Sequence, residues 1–277
     1  MTVGRRVAVA TGAAAATALL VSAPDRIPPR IRHALDRPNY RGHPANLFAG
    51  PVVAGVAAVS AGLGVRDARL GRAALFVGLA GGLLGAYDDL LSGSADGRAD
   101  RGLAGHLRAL AERRITTRLV KLLGLGTAGI LAAPAVAAKP VDRAVTAGVI
   151  AGTANLINLL DLRPGRALKA VLLLSAPSLR CGPGGDLIAG PVAAATAALP
   201  ADLAELVMLG DAGANGIGAV VGLALAVGST PAGRVMLLAA LIALTLASER
   251  VSFTSVIERT PVLRELDALG RVRPAPG

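Results

Sequence analysis

Long apolar stretches recur along the whole of this chain and limit its possible folds more than any other feature. About 20 helical residues cross the roughly 30 Å hydrocarbon core of a bilayer. Because the stretches are continuous and do not alternate with period two, they favour helices over the strands of a membrane barrel. We therefore predict an all-α fold: a polytopic membrane helical bundle of about nine transmembrane helices, forming a single integral membrane domain over residues 1–277. The nine stretches are residues 3–23, 47–64, 70–90, 116–137, 141–161, 166–180, 187–203, 212–229 and 232–248.

The ends of the chain allow further interpretations. Arg5 and Arg6 precede the first apolar stretch and Ser22-Ala23 close it, which is also the pattern of a cleaved signal peptide. A retained helix is favoured, because the stretch is long enough to span and no extracellular domain is predicted after it. The proline-containing segments 24–44 and 273–277 are expected to be loop and tail.

Basic residues set the predicted orientation. The net charge is +11, and 20 of the 29 Lys and Arg residues fall on one side of the predicted membrane when the loops are assigned alternately. That side is expected to be cytoplasmic, which places the N-terminus outside and the protein in the inner or plasma membrane. Basic residues placed between apolar stretches favour anionic lipid or anionic substrate over nucleic acid. The lone Cys181 and the scattered histidines indicate neither a disulfide nor a zinc site.

Three acidic clusters are expected to share the cytoplasmic face. Asp88 and Asp89 end the third stretch, and Asp161 ends the fifth, where Asn155 and Asn158 precede it on one helical stripe. Asp211 lies just before the eighth stretch, in a glycine-rich segment. Carboxylates gathered at a lipid–water boundary repel one another unless a cation or a proton relieves them. Mg²⁺ is the expected occupant, and the neighbouring arginines favour a substrate with phosphates, which together indicate phosphoryl transfer.

Each motif also has a purely structural interpretation. Adjacent acids can be a solvated helix terminus, although the helix dipole disfavours Asp at a C-terminal end. Asparagines often form hydrogen bonds between membrane helices, and glycines at every third position form packing faces. The segment around Asp211 would otherwise offer free helix N–H groups to an anion. Arg114, Arg118 and Lys121 share one face, where they either bind phosphate or extend to the interface.

The motifs taken together resemble a membrane family, the phospho-N-acetylmuramoyl-pentapeptide transferases and the UDP-N-acetylglucosamine:undecaprenyl-phosphate N-acetylglucosamine-1-phosphate transferases. The resemblance covers most of the chain and rests on the order and spacing of three strings. They are Gly85-Ala86-Tyr87-Asp88-Asp89, Asn155-Leu156-Ile157-Asn158-Leu159-Leu160-Asp161 and Met208-Leu209-Gly210-Asp211-Ala212-Gly213.

The resemblance implies a helical bundle with a cytoplasmic-face cleft. It also implies Mg²⁺-dependent transfer of a sugar phosphate from a UDP-sugar to a polyprenyl phosphate, with release of UMP, in cell-envelope glycan synthesis. By motif, Asp211 is expected to bind the metal, Asp88 to position or deprotonate the lipid phosphate, and Asp89 to support that site. Lys121 matches the family's lysine at the start of the next helix. Asn155, Asn158 and Asp161 are expected on the nucleotide side of the cleft, and the chain is compatible with a homodimer.

Departures from the family pattern bear on the substrate. Ser92 stands where the transferases carry a lysine, the nucleotide motif continues as Leu162-Arg163-Pro164-Gly165 without a second acid, and Thr260–Glu265 contains no histidine. We therefore expect an N-acetylhexosamine rather than the peptidoglycan pentapeptide. Two alternatives stay open: a catalytically degenerate member that binds polyprenyl phosphate or an envelope partner as a scaffold, and a transporter with a proton relay. The second is disfavoured because the acids lie at helix ends rather than at the midplane.

Overall fold

The computed structural model describes residues 3–91, 117–180 and 182–272. Within these ranges the chain forms twelve α-helices and one short hairpin of β1 (Asp36–Pro38) and β2 (Pro44–Asn46), in which Arg37 pairs with Ala45. The helices are α1 (Val3–Val21), α2 (Pro29–Leu35), α3 (Ala49–Gly64), α4 (Ala68–Leu91), α5 (Thr117–Ala132), α6 (Pro140–Leu160), α7 (Arg166–Ser175), α8 (Pro183–Leu203), α9 (Gly210–Val227), α10 (Pro231–Ser248), α11 (Phe253–Arg259) and α12 (Pro261–Ala268).

The all-α class is confirmed, and every predicted apolar stretch contains a helix. Five helices in the described ranges are long and apolar enough to cross a membrane, namely α1, α4, α6, α9 and α10. Helix α3 and the apolar segment Leu119–Ala135 are shorter. Helix α7 has only 10 residues, about 15 Å, which is half of a hydrocarbon core.

Helix α9 lies at the centre of the bundle and packs against α3, α4, α6, α7 and α8. Its side chains are buried on all sides, including those of Ile217, Val220 and Leu223, none of which is exposed to solvent. A helix that is apolar all round is stable only in such an enclosed position. The position of α9 therefore fixes where its N-terminal residue Asp211 lies in the bundle.

Glycine allows α4 and α9 to approach closely. A Cβ atom added at Gly85 of α4 would overlap the backbone of Asp211 and come within 2.6 Å of the Ala212 nitrogen. One turn earlier on α4, a Cβ at Gly81 would lie 2.7 Å from the Asn215 carbonyl oxygen. Because no side chain separates the two backbones, the acids at the end of α4 meet the start of α9.

The bundle has two chemically different ends. At one, which we call the Asp88 end, α4 and α6 finish and α9 begins. At the other, the Arg6 end, α1 and α8 begin, and Arg6 Nε lies 2.6 Å from Asp186 Oδ1. Although α7 is short, α7 and residues 176–180 together carry the chain from the Asp88 end to the Arg6 end, where Arg6 donates to the Arg180 carbonyl oxygen.

Two peripheral segments are more ordered than the sequence predicts. The segment 24–44, expected to be a loop, contains the 3-10 turn Pro24–Arg26, helix α2 and most of the hairpin, so that expectation is wrong. Proline at the first position of a helix costs no hydrogen bond, and Pro29 begins α2 in this way. After α10, the short helices α11 and α12 form what we call the C-terminal arm. Residues 273–277 lie outside the described ranges.

Candidate functional site

Lys121 lies at the centre of the candidate site and joins two of the predicted acids. Its Nζ atom donates a hydrogen bond to Asp88 Oδ2 at 2.7 Å and another to Asp211 Oδ2. The Lys121 side chain is 7% exposed and that of Asp88 is 2% exposed, whereas that of Asp211 is 27% exposed. Buried charges require partners, and here one ammonium serves two carboxylates. The two carboxyl groups therefore share one ammonium, and of these three side chains that of Asp211 is the most open to solvent.

Asp89 faces a different partner from its neighbour Asp88. Its carboxylate accepts hydrogen bonds from the backbone N–H groups of Asp211 at 3.1 Å and Ala212 at 2.9 Å. Successive helical residues point about 100° apart, so the two acids had to differ in environment. The negative charge of Asp89 therefore lies at the N-terminus of α9, where it interacts favourably with the helix dipole. Arg37 of β1 donates to the Asp89 carbonyl oxygen at 2.9 Å and ties the hairpin to this point.

The expectation that the start of α9 offers free N–H groups to an anion is wrong for its first four residues. Asp89 accepts from the second and third residues of the helix, and the N–H of Gly213 bonds to the Leu209 carbonyl oxygen at 3.3 Å. The N–H of Gly210 interacts with Asp161. The donors that a helix N-terminus leaves unpaired are therefore used by the protein itself.

Asp161 follows the last residue of α6 and meets the same turn of α9. Its half-buried carboxyl lies beside the Gly210 N–H and near the carboxylates of Asp202, Asp211 and Asp89, which repel it. The structure therefore brings Asp161 to the acidic cluster, and a proton or a cation next to it would relieve the repulsion.

The two predicted asparagines, Asn155 and Asn158, lie in different environments. Asn155 Nδ2 donates to Thr245 Oγ1 of α10 at 3.3 Å, which is the interhelical hydrogen bond of the structural interpretation. Its position is six residues before Asp161, about 9 Å along the helix axis. Asn158 lies one turn before Asp161 and is half-buried, with its carbonyl oxygen bonded to the Asp161 N–H at 3.2 Å. Only Asn158 is near the acidic end of α6.

A cavity of about 280 Å³ opens beside Asp161. Its walls include Asp202, Glu205 and the β1–β2 turn, where the Arg163 guanidinium carbon lies 4.4 Å from the centroid of the Tyr40 ring. This guanidinium–ring contact forms one wall of the cavity, and Arg163 also pairs with Glu258 at 3.4 Å. Aromatic and guanidinium planes of this kind bind the faces of nucleotide bases.

Glu205 organises the wall of this cavity. It accepts from Asn39 Nδ2 at 2.7 Å and pairs with Arg41 Nε at 3.2 Å, and its own φ is +60°, a backbone conformation that few residues other than glycine adopt. The sequence analysis missed Tyr40, Asp202 and Glu205. All three lie in or beside short connections, where no helical periodicity marks them.

The C-terminal arm is attached to the same end of the bundle. Asp267 of α12 pairs with Arg166 of α7 through two hydrogen bonds, of 2.8 and 3.0 Å, and with Arg271 at 2.6 Å. Burial alone would raise the pKa of Asp267, but the two guanidinium groups outweigh it and hold the pKa below the ordinary value of 3.8. Arg271 also donates to the carbonyl oxygen of Pro164, which lines the cavity. The arm therefore borders the candidate site.

Magnesium fits this donor set only in combination with a substrate. Over the described ranges, no three Asp, Glu, His or Cys side chains gather into a ready metal site. Asp88 and Asp211 nevertheless meet at one ammonium, so two carboxylates lie within reach of one ion. Mg²⁺ takes one or two carboxylates and completes its shell with water and phosphate oxygens. The acids fit a magnesium ion that arrives with phosphates.

Several predicted features fall outside the described residues or side chains. Arg114, Ser92 and Cys181 belong to ranges that the structure does not describe, and the Arg118 side chain is not described either. The predicted face of Arg114, Arg118 and Lys121 can therefore be followed only at Lys121, which contacts carboxylates.

No protein-family model matches the chain, and no curated protein is significantly similar to it. The inference of function therefore depends on the three motifs and on the geometry at the Asp88 end.

Proposed function

We propose that this protein is a membrane transferase that moves N-acetylhexosamine 1-phosphate from a UDP-sugar to a polyprenyl phosphate and releases UMP. The observation that carries the proposal is the buried Lys121 ammonium held between Asp88 and Asp211, beside a cavity at one end of an apolar bundle. A carboxylate–lysine cluster at a helix end is suited to phosphates that approach from the membrane surface.

The reaction joins an oxygen of the lipid phosphate to the β-phosphorus of the UDP-sugar. The bond between that phosphorus and the oxygen it shares with the α-phosphate breaks, and UMP leaves with the electron pair. Asp88 accepts a proton from the lipid phosphate when it enters as a monoanion. The Lys121 ammonium offsets the negative charge that develops on the phosphoryl oxygens.

Magnesium, when bound, would neutralise the phosphate oxygens and help the leaving group depart. Asp211 would hold it with Asp88, because these two carboxylates meet at one point and Asp211 is the more open to solvent. Asp89 supports this arrangement from α4. Its two hydrogen bonds to the start of α9 hold the backbone of Asp211 in place.

The UDP-sugar is assigned to the cavity beside Asp161. The volume of about 280 Å³ is close to the lower end of the range for small-ligand sites. The Tyr40–Arg163 stack offers a surface for uracil, and Arg163 offers a charge for the diphosphate. Asp161 and Asn158 then form the nucleotide side of the site, whereas Asn155 contributes to helix packing through Thr245.

We further propose that nine segments cross the inner or plasma membrane, with the N-terminus outside and the Asp88 end in the cytoplasm. Two observations support this orientation. The chain passes alternately between the Asp88 and Arg6 ends, and 20 of 29 basic residues fall on the side assigned to the cytoplasm. UDP-sugars are cytoplasmic metabolites, so the proposed reaction needs the site on that face.

The direct test is UMP release by purified protein with Mg²⁺, polyprenyl phosphate and a panel of UDP-sugars. Asp88→Asn and Asp211→Asn should each abolish release. Asp142→Asn is a matched control, because Asp142 begins α6 at the opposite end of the bundle. If no UDP-sugar yields UMP under conditions in which a related active enzyme turns over, catalysis by this protein is excluded.

A second candidate is a scaffold that binds polyprenyl phosphate without turnover. The observation that favours it is the extent to which the acids of the site already bind protein groups, with Asp89 on two amides and Lys121 between Asp88 and Asp211. Binding of polyprenyl phosphate that is unchanged in Asp88→Asn, with no UMP in any assay, would favour the scaffold. Measurable turnover would eliminate it.

A further inference from the structure

An apolar groove of about 650 Å³ runs between α1 and α3. Its walls include Gly12, Ala16 and Leu20 of α1 and Pro51, Gly55 and Val59 of α3. Of the described residues that line it, only Ser60 is polar. The groove extends from Pro51, near the Asp88 end, to Leu63, a distance of about 18 Å along a helix. It therefore follows more than half of a roughly 30 Å hydrocarbon core.

A second cavity lies next to the groove and borders the candidate site. This second cavity, of about 420 Å³, also includes Pro51 in its lining, so the two adjoin there. Its other walls include Asp89 of the acidic cluster, Ala212, whose N–H donates to Asp89, and Arg30 of α2. The groove and the second cavity thus share Pro51, and the second cavity borders the site at Asp89.

Two glycines keep the groove open. A Cβ atom added at Gly12 or at Gly55 would meet no atom within 4 Å, in contrast to Gly85, where a Cβ would overlap α9. Glycine in a helix interior is less stable than alanine. Tight packing of α1 on α3 does not explain these two positions. The space beside them is suited to an occupant that the chain itself does not supply.

Charge at the mouth indicates the kind of occupant. Arg30 is exposed and lines the second cavity together with Asp89 of the site. The Asp89 carboxylate, on the same wall, already accepts two backbone hydrogen bonds, which offset its charge. A phosphate at Arg30 attached to a long apolar chain would match both the cationic mouth and the apolar groove.

We propose that the α1–α3 groove binds the part of the isoprenoid chain nearest the phosphate, with the phosphate between Arg30 and the Asp88 end. This inference rests on the proposed function for the identity of the lipid. The groove is shorter than the hydrocarbon core of a bilayer. The distal part of a long isoprenoid chain therefore remains in the surrounding lipid.

Binding can be tested without turnover. A polyprenyl phosphate with a photoreactive group near its phosphate is cross-linked to the full chain in lipid nanodiscs, and the labelled peptides are identified by mass spectrometry. We expect labelling of α1 and α3 that excess unlabelled polyprenyl phosphate prevents. Labelling confined to another face of the bundle would overturn the inference.

Variants that fill the groove provide the second readout. Gly12→Leu and Gly55→Leu should each weaken binding of a long-chain polyprenyl phosphate about tenfold, the loss expected when roughly two methylene groups are no longer buried. Gly126→Leu on α5 is the matched control, since a Cβ there also meets nothing within 4 Å. Circular dichroism verifies that each variant is folded. Because the two substitutions lie on different helices, the test still works if one of the variants misfolds.

The outcomes separate the inference from the proposed function. Groove labelling that Gly55→Leu removes, with no UMP formed by the wild type, would support the lipid site while the transferase activity fails. UMP formation with an unchanged KM for long-chain lipid in both filled variants would retain the activity and overturn the lipid site. Loss of a dimer in both variants, with lipid binding intact, would assign the groove to a second copy of the chain and overturn the inference.

Discussion

Gly85→Ala tests how closely the site depends on the contact between α4 and α9. The added Cβ would lie 2.6 Å from the Ala212 nitrogen and nearer still to the Asp211 carbonyl, whereas real Cβ atoms essentially never approach closer than 3.0 Å. The two backbones must therefore separate by at least 0.4 Å at Ala212, the difference between 3.0 and 2.6 Å, and by more at Asp211. Overpacking of this kind costs roughly 1–3 kcal/mol of stability.

The same separation should weaken the ion cluster. The Lys121 Nζ–Asp88 Oδ2 distance of 2.7 Å is already optimal, and charge-assisted hydrogen bonds weaken quickly as they lengthen. We therefore expect Gly85→Ala to lower both the thermal midpoint, followed by circular dichroism in detergent, and UMP release. Gly126→Ala is the matched control.

In the control, the new methyl meets open space, and stability should be unchanged or higher by about 0.5–1 kcal/mol, the usual gain for alanine over glycine in a helix. If Gly85→Ala were as stable as Gly126→Ala, the close approach of α4 and α9 would be refuted.

Three further predictions concern individual charges. Lys121→Met should destabilise the protein by about 3–5 kcal/mol in an SDS titration, because it leaves buried carboxylates without their cation; adding Asp88→Asn should restore part of the loss, and simple additivity would contradict a direct pair. Asp89→Asn should reduce hydrogen-exchange protection of the first turn of α9 and cost roughly 0.5–2 kcal/mol, whereas unchanged protection would exclude the helix contact. Since the pKa of Asp267 is held below 3.8, docking of the C-terminal arm should be complete above that pH and be lost as the pH falls through the lowered pKa. Pepsin digestion at a series of acidic pH values should show this release, and Asp267→Asn should release the arm at every pH; an arm equally protected in that variant would refute the Arg166 clamp.

Helix positions followed from the sequence because continuous apolar residues can satisfy their backbone only within a helix. The ends of helices were harder to place. The stretch predicted over 166–180 is helical only to Ser175. Pro177 has no backbone N–H, so it cannot continue the hydrogen bonds of the helix. The hairpin was missed because its strands have only three residues each and carry one proline each, Pro38 and Pro44.

Counting the alternate passes of the chain across the membrane was enough to predict that the acids lie at the same end of the bundle. It was not enough to predict which side chains they contact. The spacing of residues along one helix predicts which of them share a face. It does not predict which neighbouring helix that face contacts. Asn155 and Asp161 share a stripe of α6, yet Asn155 meets Thr245 of α10 and Asp161 meets the start of α9. Side-chain partners across helices depend on packing, and the sequence of one helix does not contain that information.

The adjacent acids of α4 divide two tasks between them. Asp89 has both oxygens on the first turn of α9, so it fixes the position of the backbone that carries Asp211. Asp88 accepts a hydrogen bond from the Lys121 side chain, which can exchange a carboxylate for a phosphate without any movement of the backbone. Because neighbouring helical residues point about 100° apart, one short segment can serve both the scaffold and the chemistry. Loss of Asp89 should therefore alter the geometry of the site, whereas loss of Asp88 should alter its charge and leave the helices in place.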